Sequence, residues 1–95
     1  MQINDLLKMM VDKKASDLHL KVACMPALRI DGALVRLEQL PVMDLKDIES
    51  VFQQVTTPEQ RMTFMLDHEL DFAYAVPGLA RFRVNILRQL SLIHI

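Results

Sequence analysis

Leu70-Asp71-Phe72-Ala73-Tyr74-Ala75-Val76-Pro77-Gly78-Leu79-Ala80-Arg81-Phe82-Arg83-Val84-Asn85-Ile86 is the stretch on which the fold turns. Leu70, Phe72, Tyr74 and Val76 alternate with small or charged residues, Pro77-Gly78 supplies a turn, and Phe82, Val84 and Ile86 alternate again. A period of two means strands, so the stretch predicts an antiparallel hairpin with one apolar face turned to a core. If Phe82, Val84 and Ile86 fill that core, Arg81, Arg83 and Asn85 share the opposite face. Three long polar donors in a row suit a phosphate or a carboxylate. The same alternation also describes an ordinary solvated sheet face, and the pattern alone leaves both readings open.

Working back from the hairpin, the periods alternate between helix and strand. Ile3, Leu6, Leu7, Met10 and Val11 fall at helical spacing, with Asn4 or Asp5 available as a cap. Leu18, Leu20 and Val22 then oppose Asp17, His19 and Lys21 at period two, which reads as a half-buried strand. After Pro26, Leu28 and Ile30 alternate with Arg29 and Asp31, and Asp31-Gly32 turns the chain into Leu34-Val35-Arg36-Leu37 as a second hairpin. Asp44 can cap a helix whose stripe is Leu45, Ile48, Val51, Phe52 and Val55. Thr57-Pro58-Glu59-Gln60 has the signature of a capping box with proline at the first helical position, and the helix that follows is expected to turn Met62, Met65 and Leu66 inward. The order is α-β-β-β-α-α-β-β, an α+β domain with an antiparallel sheet and helices packed on it.

Composition narrows the function. At 95 residues the chain is one domain, able to bury roughly 60–65% of its unfolded surface. Hydrophobic content of 52% with 24% charged residues is globular, and no apolar run approaches the span of about 20 residues that a membrane helix needs. Membrane insertion is therefore not expected, and Met1-Gln2-Ile3-Asn4-Asp5 lacks the basic start and apolar core of a signal peptide. A net charge of −1 gives no global field for nucleic acid. The basic character is local: every acid lies at or before Asp71. A single cysteine, Cys24, permits no intrachain disulfide, which fits a reducing cytoplasm.

Other candidate sites have weaker signals. Asp17 and His19 share one strand face at about 7 Å along the chain, a spacing compatible with an acid-oriented base but better suited to an ordinary polar contact. His19, His68 and His94 lack metal-ligand spacing with Cys24, so no metal is expected, and no catalytic residue is assigned. No Gly-x-x-x-x-Gly-Lys-Ser/Thr loop occurs, so the chain has no means of cradling a triphosphate and needs no cofactor of its own.

Ala15-Ser16-Asp17-Leu18-His19-Leu20, then Arg29-Ile30-Asp31-Gly32, Pro58-Glu59-Gln60-Arg61, Glu69-Leu70-Asp71-Phe72 and Val76-Pro77-Gly78-Leu79-Ala80-Arg81-Phe82-Arg83-Val84-Asn85 occur in an order and spacing that resemble the N-terminal domain of the secretion ATPase superfamily, in its type IV pilus retraction (twitching motility) branch. The resemblance implies a PAS-like domain over residues 1–89, placed before a RecA-like ATPase core in a cytoplasmic homo-hexamer peripheral to the inner membrane. It implies an assembly and regulatory role, with the ATPase domains of the same and neighbouring subunits and an inner-membrane platform protein of the pilus as partners, and with ATP and Mg bound by the full-length parent. Arg81, Arg83 and Asn85 are then expected near nucleotide at the interdomain contact, and Asp17, His19 and Arg29 on a polar interdomain face. An accessory pilus ATPase and a type II secretion ATPase are related alternatives. A free-standing PAS-like ligand- or partner-binding module is an alternative of a different class.

Two departures qualify the match. Lys14 and Cys24 stand where the family usually has glycine, so the backbone there is expected to be strained or differently turned. Residues 90–95, Leu90-Ser91-Leu92-Ile93-His94-Ile95, do not resemble the family and are read as an atypical tail, from a truncated gene or an adapter scar, which would lengthen the last strand if folded.

Overall fold

A computed structural model describes residues 2–87 and 92–95. Its order is α1 (Ile3–Asp12), β1 (Asp17–Lys21), β2 (Ala27–Ile30), β3 (Ala33–Arg36), α2 (Leu45–Val55), α3 (Pro58–Asp67), β4 (Leu70–Val76), β5 (Ala80–Ile86) and β6 (Leu92–His94). The strands form one six-stranded sheet in the order β3-β2-β1-β6-β5-β4, with every neighbouring pair antiparallel. This is the α+β architecture that the alternating periods imply, and the one that the family resemblance describes as PAS-like.

The hairpin parity sets the core. Phe72 lies opposite Val84 and Tyr74 opposite Phe82, and Leu20 and Ile86 both lie opposite Ile93. Leu18, Leu20, Leu28, Val84, Ile86 and Ile93 are fully buried against Ile3, Leu7, Ile48 and Val51 of α1 and α2. Each such side chain is worth about 1.5–3 kcal/mol relative to exposure, so this one face carries most of the hydrophobic stabilisation. Met9 is partly buried against the same core.

Local chemistry fixes the ends of the elements. Asp31 (φ 51) and Gly32 (φ 83) both take the left-handed backbone that a tight hairpin turn needs. Thr57 Oγ1 accepts from the Gln60 amide at 3.2 Å and Gln60 Oε1 accepts from the Thr57 amide at 2.9 Å, with Pro58 at the first turn. Asp44 and Asp47 make a second reciprocal box on α2. For α1 the capping residue is Gln2, not Asn4 or Asp5, and its side chain makes no cap bond. The Ile3 amide donates instead to Gln54 Oε1 at 2.8 Å, tying α1 to α2.

Three expectations are corrected. Met62, Met65 and Leu66 do not face inward; they are 66%, 75% and 79% exposed. Helix α3 is held from its other side, where Phe64 meets Phe52 at 5.2 Å between ring centroids and Arg61 Nη1 donates to the Thr56 carbonyl at 2.8 Å. Leu45 and Val11, assigned to buried stripes, sit at the ends of their helices and are also exposed. The third correction concerns the tail. Leu92–His94 does not extend β5 but doubles back as a strand between β1 and β5, with Ile93 fully buried, so the order gains a ninth element. Ile93 lies between Leu20 and Ile86, and Ile95, also buried, exchanges both backbone bonds with Leu18. The expected end of the family match at Gln89, and the first tail residues Leu90 and Ser91, lie outside the described residues.

Where glycine was expected, Lys14 keeps a glycine-like φ of 56. Near Cys24 the left-handed residue is its neighbour Ala23, at φ 66. An L-residue in this region costs roughly 1–2 kcal/mol, so both turns hold a small strain.

Candidate functional site

The second face of the sheet is polar, and the strand register says which residues share it. One row crosses all six strands through Arg36, Ala27, His19, His94, Asn85 and Asp71. Beside it stand Asp17 opposite Arg29, Arg83 opposite Ala73, and Arg81 opposite Ala75. Arg81, Arg83 and Asn85 therefore share the face opposite Phe82, Val84 and Ile86, as their parity requires.

The two arginines are held differently. Arg83 donates through Nε to Asp71 Oδ1 at 3.0 Å and through Nη2 to Asp71 Oδ2 at 2.5 Å, a two-pronged ion pair. The hydrogen bonds from Arg83 hold the Asp71 carboxyl below the usual carboxylate range, and Asp71 raises the Arg83 guanidinium in turn. Among the described residues Arg81 makes no ion pair and no side-chain hydrogen bond. Ala73 and Ala75 are small and exposed, and a shallow cleft of about 470 Å³ over Ala73 is lined by Asp71, Phe72, Ala73, Arg81, Phe82 and Arg83. One guanidinium is thus fixed and its neighbour is free, over a floor too small to obstruct an incoming group.

On the other half of the face, Asp17 is the hub. Its carboxylate accepts from Ser16 Oγ at 2.6 Å, lies 2.8 Å from His94 Nε2, and stands 3.7 Å from Arg29 Nε. The hydrogen bond from Ser16 and then that of His94 lower its pKa. His19 does not pair with Asp17; it stacks on His94 with centroids 4.5 Å apart, and its Nε2 is buried with no hydrogen-bond partner among the described residues. Burial, and then the neighbouring His94, push the His19 pKa down. The acid-oriented base considered for Asp17 and His19 is therefore not assembled. Arg29 also donates to the Gly32 carbonyl at 3.1 Å, closing the β2–β3 turn.

A cleft of about 490 Å³ joins the two halves, lined among others by Ser16, Asp17, Arg81, Arg83, Asn85 and His94. Arg29 and His19 are not among its walls. Sequence reasoning missed Asp71 and His94. The first was legible, because the Pro77-Gly78 turn fixes a register that sets Asp71 diagonal to Arg83. The second was not, because His94 reaches Asp17 only through the pairing of β6 with β1. Asp17, His19 and His94 bring possible metal-ligand atoms within 4.8 Å of one another, a grouping that does not include Cys24.

The relatives decide the assignment. The chain is 38% identical over 89 residues to the type IV pilus retraction ATPase PilT of Pseudomonas aeruginosa, across 94% of this chain and 26% of that protein. Its fold superposes on the crystal structure of the pilus retraction motor PilT with bound ADP at a TM-score of 0.87, with 28% identity over 99% of this chain and 28% of that one. The chain belongs with the N-terminal domains of the GspE/PilT-type ATPases. It is also 31% identical to the type IV pilus ATPase PilU of the same bacterium, across 98% of this chain and 24% of that protein. The DotB ATPase of Legionella pneumophila shares the fold at a TM-score of 0.74 with 15% identity, across 97% of this chain and 26% of that one. No family model matches the chain. The domain spans about a quarter of the length of these curated relatives, and among the described residues no helix is long and apolar enough to cross a membrane.

Proposed function

We propose that this domain is the N-terminal assembly and regulatory domain of a hexameric motor ATPase that retracts type IV pili. The observation that carries the reading is the joint likeness in sequence and fold to PilT, 38% identity and a TM-score of 0.87 over nearly the whole chain. In this reading the polar sheet face meets the RecA-like ATPase domain of a neighbouring subunit. Arg81 is the cation offered to nucleotide, since it is exposed and has no carboxylate of its own, and Arg83 and Asn85 extend the same row. A guanidinium that approaches a transferring phosphoryl group offsets the charge building there, without any reorganisation at the moment of reaction. ATP and Mg would be bound by the P-loop core of the parent, with this domain contributing at the edge of the site. The parent would act in the cytoplasm against a platform protein of the pilus at the inner membrane.

The test is complementation. A full-length gene carrying this domain, introduced into a twitching bacterium that lacks its retraction ATPase, is expected to restore motility. The same gene with Arg81→Ala is expected to restore much less at equal protein level. No motility from an abundant, ATP-hydrolysing protein would point to an accessory pilus ATPase or a secretion ATPase instead.

A further inference from the structure

The Asp71–Arg83 pair has a directional geometry. A guanidinium offers a side-on edge, formed by Nε and one terminal nitrogen, and an end-on edge formed by the two terminal nitrogens. Asp71 occupies the side-on edge, through Nε and Nη2. The end-on edge, with Nη1, is left for another acceptor. The Arg83 side chain is 81% exposed, so without a carboxylate beside it a long flexible stem would have to be ordered by any ligand it met. Arg81 lies two residues away on the same strand face, small alanines stand opposite both arginines, and Ala73 lies in the cleft that Arg81 and Arg83 share.

We propose that Asp71 is the positioning residue for Arg83: it clamps the side-on edge of the guanidinium and so presents the end-on edge, alongside Arg81, to a phosphate-type anion over Ala73. This rests on the reading of the β5 polar face as an anion-meeting surface and goes beyond it by naming a carboxylate as part of the apparatus. An acid beside an anion site is counterintuitive, because its charge repels the ligand. At an exposed site that repulsion acts across a longer, solvent-filled gap and is the more strongly screened, whereas the Asp71–Arg83 contact is direct and two-pronged. Asp71 therefore helps more than it hinders.

The experiment uses the chain itself and inorganic pyrophosphate as probe, followed in ¹⁵N–¹H spectra of the arginine side chains. Pyrophosphate is expected to shift the Arg81 signals and the Arg83 terminal nitrogens while the Arg83 Nε–H stays in place, because Asp71 keeps it. Asp71→Asn is expected to weaken binding about fivefold, the upper range for one exposed charged pair, with an unchanged backbone amide spectrum. Three results would overturn the proposal: movement of the Arg83 Nε–H on binding together with tighter binding by Asp71→Asn, which would make Asp71 a competitor; unchanged affinity in Asp71→Asn; or no binding by the wild-type chain. Loss of binding in Arg81→Ala with no effect of Asp71→Asn would leave the anion-meeting face standing and remove only the role given to Asp71.

Discussion

The two sides of β5 carry the same backbone and opposite duties. Phe82, Val84 and Ile86 point into the core and are buried, with Phe82 only 8% exposed, while Arg81 and Arg83 on the other side stand in solvent. What separates them is energetics. A buried apolar side chain contributes through area removed from water and through close packing, whereas an exposed charge contributes almost nothing to folding. A strand that spends two arginines where they add no stability has them available for something outside the domain.

Chemical denaturation can break or sharpen that contrast. The largest effect is expected from Phe82→Ala, which should cost about 3–5 kcal/mol, most of what a domain of this size has. A midpoint unchanged by that substitution would mean that the parity is inverted. Phe72→Ala should cost less, about 1–2 kcal/mol, since Phe72 is half-buried on the edge strand β4 and packs on the core from one side only.

The polar face should respond to pH instead. His19 has a folded-state pKa below its ordinary 6.5, chiefly through burial, so the unfolded chain binds a proton more readily than the folded one. Its contribution is fully present above pH 6.5 and is lost as pH falls from there through the folded pKa. The unfolding midpoint should accordingly drop on acidification below pH 6.5, and His19→Gln should flatten that drop. A wild-type midpoint that rises over the same interval would contradict the assignment. Smallest of all is the effect expected from Met65→Gln on the open side of α3, where the side chain is 75% exposed: the midpoint should not move measurably. A clear loss of stability there would restore the inward-facing helix that the periodicity suggested.

The contrast also explains what could be read without coordinates. The hairpin was legible because period two, a Pro-Gly turn and a net change in side-chain character all agree within seventeen consecutive residues, Leu70 to Ile86. The Thr57 box was legible because its bonds span three residues. The rotation of α3 was not, since Met62, Met65 and Leu66 define a stripe with helical spacing but spacing does not say which neighbour the stripe meets. Phe64 and Arg61, which do meet α2 and the turn before α3, form no apolar stripe at all. The placement of β6 was hidden for a related reason: an alternation of four residues fits a lengthened strand as well as a returning one, and the choice between them depends on the gap between β1 and β5. Of the candidate site, the shared face of Arg81, Arg83 and Asn85 was visible from parity. That Asp71 stands diagonal to Arg83 follows from the register the Pro77-Gly78 turn fixes, whereas the two-pronged contact that clamps Arg83 and leaves Arg81 free is seen only in the side-chain geometry.

Hydrolysis of ATP by the assembled full-length protein tests the central claim most directly, with Arg81→Ala compared against Lys46→Ala, a charge removed from the exposed side of α2. Both substitutions should leave the stability of this domain unchanged, because both residues are exposed. If Arg81 acts on the transferring phosphoryl group, its loss should lower turnover by about 10³-fold, with Lys46→Ala near the wild-type rate. Equal rates in the two variants would contradict the claim and return the outer face of β5 to an ordinary solvated surface.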